Sequence, residues 1–343
     1  MIRTLSTKIG YSDQVLNRSV IISTNDNIYR NLALEDWLYN KYPVVNKSKT
    51  WYRLLLWHNK PCIVLGRHQN PWNEVHINRC QTLGIPIARR NSGGGTVFHD
   101  LGNLNLCFLS DKKSYNRKRN NELIIRTLNK YYGVNCEISS RENLITKDGG
   151  FKVSGTASKL SSLSAYHHCT LMLNVDLTLM VKVTKTGCHL FENKATPSVH
   201  ASVENLCSIC PSINMNNFIS NISSEFINEF GDNGIIEVDP DDRKFNDIDA
   251  KYDELTSWKW IFGKTPKFEI TYEDFGIKCK LVVNYGLIEK VETLPCMDFS
   301  FLKGVRFVRE DVIAGFICNE HEFDQDYLVA RSLIIKIIDQ IYS

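Results

Sequence analysis

The residues of this sequence with the clearest chemical potential lie in one short stretch, residues 89–100. Two arginines precede three successive glycines, and a β-prone run ending in His99 and Asp100 follows. Three glycines remove every Cβ from one piece of backbone, so a ligand can lie directly against N–H groups. Guanidinium groups are planar, charged forks suited to phosphate or carboxylate. The stretch therefore predicts a binding loop for an anionic, nucleotide-bearing ligand; arginines at a solvated strand end are the alternative, and His99-Asp100 is interpreted as structural.

A second stretch, residues 151–170, supplies a candidate reactive cation. Lys152 lies on a predicted short strand, where its ammonium can stabilise developing negative charge; an exposed strand lysine is the alternative. His167 and His168 are adjacent on a strand and point to opposite faces, so they do not easily serve one metal ion. We expect one of them to be buried and hydrogen-bonded. Cys169 could accept an acyl group beside His168, but a small buried thiol is the favoured interpretation.

Other motif classes are excluded by spacing. The glycine run is not a phosphate-binding P-loop, because no Gly-Lys-Ser/Thr follows, and it is not a dinucleotide fingerprint, because the next segment reads as a strand. Cys207 and Cys210 form a single Cys-x-x-Cys, and Cys188, His189 and His200 have irregular spacing, so we predict no metal site.

Composition indicates an ordinary globular protein. The 343 residues are enough for two domains, and the net charge of +3 is too small to argue for nucleic acid as a partner. No apolar run reaches the length of a membrane span, so we expect no membrane association. Eleven scattered cysteines without a secretory signal indicate reduced thiols in an intracellular compartment. Residues 1–12 contain basic and hydroxyl residues but no acid, which is typical of a mitochondrial targeting segment; an ordinary frayed terminus is the alternative.

Periodicity predicts an α/β fold with a mixed sheet. We expect a targeting segment at 1–19, a large domain at 20–254, and a linker with a small α+β domain at 255–343. Predicted helices lie at 27–41, 72–83, 122–132, 214–230 and 325–342, and residues 111–121 and 176–212 are predicted loops, the second a mobile loop over the site. Predicted strands start at Val20 and cover 51–57, 62–66, 85–89, 96–99, 103–110, 152–153, 170–175, 268–271, 278–284 and 287–293.

Together these motifs resemble the lipoate–protein ligase and lipoyltransferase family. The resemblance rests on residues 31–36, 66–72, 89–103, 152–157, 166–171 and 258–266, which occur in the family's order. It is closest to the animal mitochondrial lipoyltransferases, through Gly-Thr-Ala-Ser-Lys at 155–159 and His-His-Cys-Thr at 167–170.

The resemblance implies a large catalytic domain of the biotin/lipoate-ligase type and a small C-terminal accessory domain. It implies transfer of a lipoyl group, from lipoyl-AMP or from a lipoylated carrier protein, to a specific lysine with formation of an amide. Implied partners are the lipoyl domains of 2-oxoacid dehydrogenase acyltransferase subunits and the glycine-cleavage carrier protein. The implied protein is a monomer of the mitochondrial matrix without a tightly bound cofactor, with lipoyl-AMP as substrate.

Site residues follow from the resemblance by motif. Lys152 matches the signature lysine, expected to contact the acyl carbonyl and the phosphate, and Arg90 would face phosphate or carbonyl. Phe98 stands where the nearest relatives carry Tyr, and Arg141 matches an arginine near the nucleotide with its spacing shifted by one residue. The remaining expected lipoyl-AMP contacts are Gly93, Gly94, Gly95, Thr96, Val97, Thr170, Val199 and Ala201.

Two other functions stay open on the sequence. A full ligase would also activate lipoate with Mg-ATP in the same pocket, and the motifs do not separate it from a transferase. A non-catalytic lipoate-binding or carrier-binding protein is the alternative from another class, and the intact Lys152 and glycine run argue against it.

Overall fold

The computed structural model describes residues 11–45, 51–185, 191–199, 201–242, 245, 247–319 and 325–342. The strands in chain order are β1 Val20–Ser23, β2 Tyr52–Trp57, β3 Cys62–Leu65, β4 Ile87–Arg89, β5 Val97–His99, β6 Asn103–Asp111, β7 Cys136–Ile138, β8 Leu144–Thr146, β9 Thr156–Leu160, β10 Ser164–Met172, β11 Phe191–Asn193, β12 Ile235–Val238, β13 Phe268–Asp274, β14 Ile277–Asn284 and β15 Leu287–Leu294. The helices are α1 Tyr11–Leu16, α2 Ile28–Val45, α3 Pro71–Glu74, α4 Ile77–Thr82, α5 Arg117–Tyr132, α6 Leu177–Val183, α7 Leu206–Ile209, α8 Met215–Phe230, α9 Ile248–Thr256, α10 Trp258–Ile261, α11 Arg309–Cys318 and α12 Gln325–Tyr342.

A mixed sheet in the order β12-β1-β2-β6-β10-β9 forms the centre of the larger part of the molecule. β1 runs parallel to both β12 and β2, and the pairs from β2 to β9 are antiparallel. Helix α2 packs on one face with apolar residues such as Leu34 and Leu38, while Leu123 of α5 and Phe226 of α8 belong to the core on the other face. Both faces are covered, which explains the long buried runs along β2 and β6.

A smaller sheet, β4-β3-β5, lies beside the main one and carries the glycine run between β4 and β5. The C-terminal sheet, β11-β13-β14-β15, packs with α12 across it. Its first strand comes from residues 191–193, and helix α9 spans the predicted boundary at 254–255. The chain therefore crosses between the two parts more than once, and the division at 254 stays a prediction.

Several predicted elements are confirmed, among them β1, α2, β6, α8, α12 and the three strands β13, β14 and β15. The predicted helix at 72–83 is wrong as one element, because the extended backbone of Val75 separates α3 from α4. The predicted loop at 111–121 is wrong over its last part. Asn116 accepts a hydrogen bond from the Arg119 N–H and so caps α5 five residues earlier than predicted.

Two further predictions need correction around the site. Lys152 forms isolated bridges to Ile145 and Val203 instead of a strand, and β10 begins at Ser164 rather than at residue 170. The segment 176–212 is not a continuous loop, because it contains α6, β11 and α7; residues 186–190 and 200 lie outside the described residues.

Only part of the predicted targeting segment at 1–19 lies within the described residues. Residues 1–10 lie outside the described residues, whereas Val15 and Leu16 of α1 are buried in the main core. None of the described helices combines the length and apolar composition that a bilayer span requires.

Candidate active site

A cavity of about 660 Å³ opens between the glycine loop (residues 90–96), the main sheet and residues 196–199 and 201–202. Its inner wall is apolar and buried, with Leu32, Trp57 and Val64. Exposed residues such as Arg141 and Val199 lie at its mouth. The cavity thus joins a buried apolar floor to a polar, basic entrance, which suits a long apolar chain that ends in a charged group.

Arg90 holds the glycine loop from beneath. Its Nη2 donates to the carbonyl oxygens of Gly93 (2.6 Å) and Gly95 (2.7 Å), and its Nη1 donates to the carbonyl of Val64 (3.0 Å). Burial lowers the pKa of this guanidinium to about 10, so it stays charged at neutral pH. Arg90 lines the cavity, but most of its N–H groups fix the loop and are not available to a ligand.

The loop conformation requires glycine at two positions. Gly94 has a φ of +87°, in the left-handed region that glycine adopts without strain. A Cβ on Gly66 would lie 2.0 Å from the carbonyl oxygen of Gly94, so the turn after β3 and the glycine loop touch backbone to backbone. A side chain at either position would push the loop away from the sheet.

A buried polar chain extends from Arg90 to helix α2. The Arg90 Nε donates to the Ser92 hydroxyl (3.0 Å), which lies 2.7 Å from Nε2 of His168. Nδ1 of the same imidazole lies 2.8 Å from the carboxylate of Glu35, which is 2% exposed. With a neutral imidazole, Nδ1–H donates to Glu35 and Ser92 donates to Nε2. Glu35 therefore supplies the negative charge that accompanies buried Arg90.

Lys152 lies in the wall of the cavity and is held by its backbone. Its N–H donates to the carbonyl of Ser202 (2.8 Å), and its carbonyl accepts from the N–H of Glu204 (3.2 Å). Burial, followed by the positive charge of Arg141, lowers the pKa of the Lys152 ammonium. Within the described residues no carboxylate pairs with it. A desolvated cation without an anion beside a glycine loop is suited to a negatively charged ligand.

The segment 196–199 is fastened to the glycine loop through Ser198. Its hydroxyl donates to the Glu74 carboxylate and accepts hydrogen bonds from the Gln69 amide and the Thr96 N–H, both at 3.0 Å. The Thr96 hydroxyl donates in turn to Gln69 Oε1 (2.9 Å). One wall of the cavity is thereby joined to the turn after β3 and to α3.

The family model of the lipoyl protein ligase A/B catalytic domain matches residues 27–227, which include the glycine loop, Lys152 and the cavity floor. The chain belongs to this family.

Individual relatives agree with the family match. Human "Lipoyl amidotransferase LIPT1, mitochondrial" is 38% identical over 284 residues, which are 80% of this chain and 75% of the human protein. Lipoate-protein ligase A of Bdellovibrio bacteriovorus is 34% identical over 260 residues, 75% of each chain. The crystal structure of P. falciparum LipL1 in complex with lipoate has a TM-score of 0.64 at 26% identity and covers 92% of this chain and 99% of that one.

These similarities confirm three predictions made from the sequence: the family, the biotin/lipoate-ligase fold, and the activity of a lipoyl-transferring enzyme. Most of the residues predicted to bind lipoyl-AMP line this cavity. They are Arg90, Gly94, Gly95, Thr96, Val97, Arg141, Lys152, Thr170, Val199 and Ala201. Their contact with a ligand stays a prediction.

Two predicted residues do not line the cavity. Strand β5 turns Val97 and His99 towards it and Phe98 away, because successive strand residues point to opposite faces. The Phe98 side chain is buried in the main core instead. Gly93 also lies outside the lining and contributes its carbonyl oxygen to Arg90.

The sequence missed several residues that shape the site. Arg89 was predicted either to contact an anionic ligand or to lie in solvent at a strand end, but its side chain is fully buried. It donates to the carbonyls of Gln69 (2.8 Å) and Ile261 (2.8 Å), and burial lowers its pKa to about 9. Glu35 belongs to the family motif at 31–36 and Trp57 to the predicted strand at 51–57, but no role in the site was predicted for either residue, because their partners lie far away along the chain. His99 was interpreted as structural, yet its ring lines the cavity.

One of the two neighbouring histidines was predicted to be buried and hydrogen-bonded, and in the structure both are. His167 and His168 are both buried on opposite faces of β10, and His167 contacts Asn120 of α5 while His168 contacts α2. Burial raises the pKa of the Cys169 thiol to about 12, which makes it a poor nucleophile. Cys188, His189 and His200 lie outside the described residues, and in the described part no group of three or more candidate ligands is arranged around a possible metal ion.

Proposed function

We propose that this enzyme transfers a lipoyl group from lipoyl-AMP to a lysine of a lipoyl domain. The observation that carries the proposal is the position of Lys152, a desolvated cation without an anionic partner among the described residues, in a cavity that joins an apolar floor to the glycine loop. The lipoyl chain fits the floor, and the adenylate phosphate fits the basic side near Lys152 and Arg141.

The proposed reaction is an aminolysis of a mixed anhydride. The neutral amine of the carrier lysine attacks the acyl carbonyl, an amide C–N bond forms, and the C–O bond to phosphate breaks. AMP leaves with the electron pair, and the proton lost by the amine passes to the departing phosphate or to water. Lys152 stabilises the negative charge that develops on the carbonyl oxygen and on the departing phosphate.

Other parts of the assignment rest on the relatives. The names of the human and Bdellovibrio proteins support lipoyl chemistry on carrier proteins, and we propose 2-oxoacid dehydrogenase acyltransferase subunits and the glycine-cleavage carrier protein as acceptors. The mitochondrial name of the human relative supports a mitochondrial location, and we propose the matrix. Because Val15 and Leu16 are core residues, we propose a targeting segment that ends before Tyr11.

The test compares Lys152→Ala with Lys147→Ala, a lysine of the same loop region that does not line the cavity. We expect Lys152→Ala to lower lipoyl transfer from synthetic lipoyl-AMP by roughly 10²- to 10³-fold, as for loss of one transition-state donor. Lys147→Ala should transfer at the wild-type rate. Equal transfer by wild type and Lys152→Ala would overturn the catalytic assignment of Lys152. Wild-type transfer no faster than the uncatalysed reaction would favour a non-catalytic binding protein.

A full ligase is the second candidate, favoured by the identity to the Bdellovibrio lipoate-protein ligase A. Such an enzyme would also form lipoyl-AMP from lipoate and Mg-ATP and release pyrophosphate. We expect no pyrophosphate above background when the protein is incubated with lipoate and Mg-ATP. Rapid release would establish the ligase and remove the restriction to a preformed donor.

A further inference from the structure

A basic stretch at 112–119 has no role in the proposed reaction. Three of its five basic side chains are paired with carboxylates, namely Arg117 with Glu142, Lys118 with Glu122 and Arg119 with Glu229. Lys112 and Lys113 are exposed, and among the described residues no carboxylate pairs with either ammonium group. The turn after β6 therefore presents two unpaired positive charges to solvent.

The adjacent carboxylate, that of Asp111, is engaged by the turn itself. Its oxygens accept hydrogen bonds from the N–H groups of Trp51 (3.2 Å) and Lys113 (3.0 Å) and from the Ser114 hydroxyl (2.7 Å). These bonds hold the carboxylate against the backbone, so it forms no ion pair with the two lysines.

Exposed leucines lie beside these lysines. The Lys112 N–H donates to the carbonyl of Leu163 (3.1 Å), in the hairpin that joins β9 to β10. Leu163 is 67% exposed, and Leu160 at the end of β9 is 52% exposed. Apolar side chains bordered by charged ones are typical of a surface that binds another protein. We call Lys112, Lys113, Leu160 and Leu163 the hairpin surface.

Strand β9 connects the hairpin surface with the cavity. Thr156, Ser158 and Leu160 share one face of this strand, because alternate residues of a strand point the same way. Thr156 lines the cavity, and Ser158 accepts a hydrogen bond from the Tyr115 hydroxyl (2.6 Å), which follows the two lysines along the chain.

The start of α5 leads to the cavity mouth from the same side. Arg117 pairs with the Glu142 carboxylate (2.7 Å), and the Asn121 amide donates to the Glu142 carbonyl (3.0 Å). Arg141, the residue before Glu142, lines the mouth, and no described carboxylate pairs with it. Unpaired positive charge therefore lies both at the mouth and on the hairpin surface.

A protein acceptor at the mouth extends as far as the hairpin surface. The four-carbon side chain of an acceptor lysine is short, so the domain that carries it must rest on the rim of the cavity. Leu160 lies four residues beyond Thr156 in β9, which is about 13 Å at the rise of a strand. A domain of about 100 residues has a radius of gyration of about 13 Å and covers this distance.

We propose that the hairpin surface docks the carrier domain, with Lys112 and Lys113 on acidic side chains of that domain and the two leucines on an apolar part of it. This inference rests on the proposed transfer and adds the place where the protein substrate is recognised. Exposed charges act on encounter and on choice of partner, so the surface affects recognition of the carrier and not the chemical step. An anionic membrane would also suit two lysines, but the continuity with the cavity mouth favours the protein acceptor.

The test compares two double charge reversals. Lys112→Glu/Lys113→Glu alters the hairpin surface, and Lys278→Glu/Lys303→Glu is the matched control, with the same change in net charge at exposed lysines of the C-terminal part that have no described carboxylate partner. We expect the first variant to raise KM for the lipoyl domain about tenfold, with kcat and KM for lipoyl-AMP unchanged. An unchanged KM for the lipoyl domain, or an equal rise in the control variant, would overturn the proposal.

Salt and a charge exchange check that the contact is electrostatic. About 1 M salt should remove most of the difference between wild type and Lys112→Glu/Lys113→Glu, because it screens exposed charges beyond about 3 Å. Single replacements of acidic surface residues of the lipoyl domain by lysine should include one that raises KM with wild type and lowers it with the reversed enzyme. The absence of any such replacement would contradict direct pairing with acidic side chains.

The apolar part of the surface has its own variant. Leu163→Ser should raise KM for the lipoyl domain about threefold, because apolar area is no longer buried on docking. Leu83→Ser, at an exposed leucine that follows α4, is the matched control and should leave this KM unchanged. Equal values for the two variants would overturn the apolar contact.

The outcomes separate this inference from the proposed function. If wild type transfers no lipoyl group from lipoyl-AMP to the lipoyl domain, the proposed function fails. If wild type transfers it and Lys112→Glu/Lys113→Glu does so with the same KM, only the docking surface is wrong. Unchanged transfer combined with lost binding to vesicles of anionic phospholipid would assign the surface to a membrane and overturn the proposal.

Discussion

Glu35, His168 and Ser92 form an acid–histidine–serine chain with the distances of a nucleophilic triad, 2.8 and 2.7 Å. Their surroundings indicate that they position Arg90 and do not act as a nucleophilic triad. Ser92 is 2% exposed and does not line the cavity, and its oxygen accepts a hydrogen bond from Arg90. This series of hydrogen-bonded side chains therefore neutralises the charge of Arg90 and orients the guanidinium that holds the glycine loop.

Ser92→Ala tests this distinction. We expect the variant to bind lipoyl-AMP about tenfold more weakly, because Arg90 loses one hydrogen-bond partner and the loop loses part of its support. Intact-protein mass spectra of wild type with lipoyl-AMP should show no acyl group on the enzyme. An acyl-enzyme that forms in wild type and disappears in Ser92→Ala would show that Ser92 is a nucleophile.

The pH dependence of transfer follows from Lys152. Its pKa is lowered by burial and by Arg141, so the free enzyme loses this positive charge at a lower pH than an ordinary lysine would. We expect kcat/KM to rise as the carrier lysine deprotonates and to fall as Lys152 deprotonates. Lys152→Arg should move the alkaline limb of the pH profile of kcat/KM to higher pH, because arginine keeps its charge there. An unchanged alkaline limb in this variant would assign that limb to another group.

At the scale of elements, Arg89 joins parts that are far apart in the chain. Its guanidinium donates to the turn at 66–69, to the carbonyl of Ile261 in α10 and to the Thr265 hydroxyl, while the Trp260 indole donates to the Arg89 carbonyl (2.7 Å). Strand β4, the turn after β3 and the start of the C-terminal part are therefore fixed around one buried side chain.

Arg89→Lys should destabilise the protein by roughly 3 kcal/mol, since a lysine cannot replace the fork and leaves buried carbonyls unpaired. Arg126→Lys, at an exposed ion pair with Glu229, is the matched control and should cost less than about 0.5 kcal/mol. Urea denaturation of both variants measures the difference. Equal unfolding free energies would show that Arg89 is not a structural tie.

The sequence allowed prediction of elements whose signal is local. The amphipathic pattern of α8, the strands of the C-terminal sheet and the glycine loop could all be read from adjacent residues. The start of α5 and the break between α3 and α4 were missed, because each depends on one capping or extended residue. Contacts such as Glu35 with His168 join residues 133 positions apart, and no local pattern predicts them.

At the scale of the whole molecule, the two parts share an apolar interface. The Trp72 ring of α3 packs against Phe262, Phe268 and Phe307, with ring centroids between 5.3 and 5.5 Å apart. Trp72 lies in the helix that follows the turn at 66–69, which touches the glycine loop. The C-terminal part thus supports the site through this interface.

The central claim is that the cavity uses a preformed adenylate to modify a carrier protein. The most direct measurement is the intact mass of a lipoyl domain after incubation with this enzyme and synthetic lipoyl-AMP, without ATP. We predict the addition of one lipoyl group at the domain's lysine, dependent on Lys152. An unmodified domain, with lipoyl-AMP demonstrably bound to the enzyme, would contradict transfer from the adenylate.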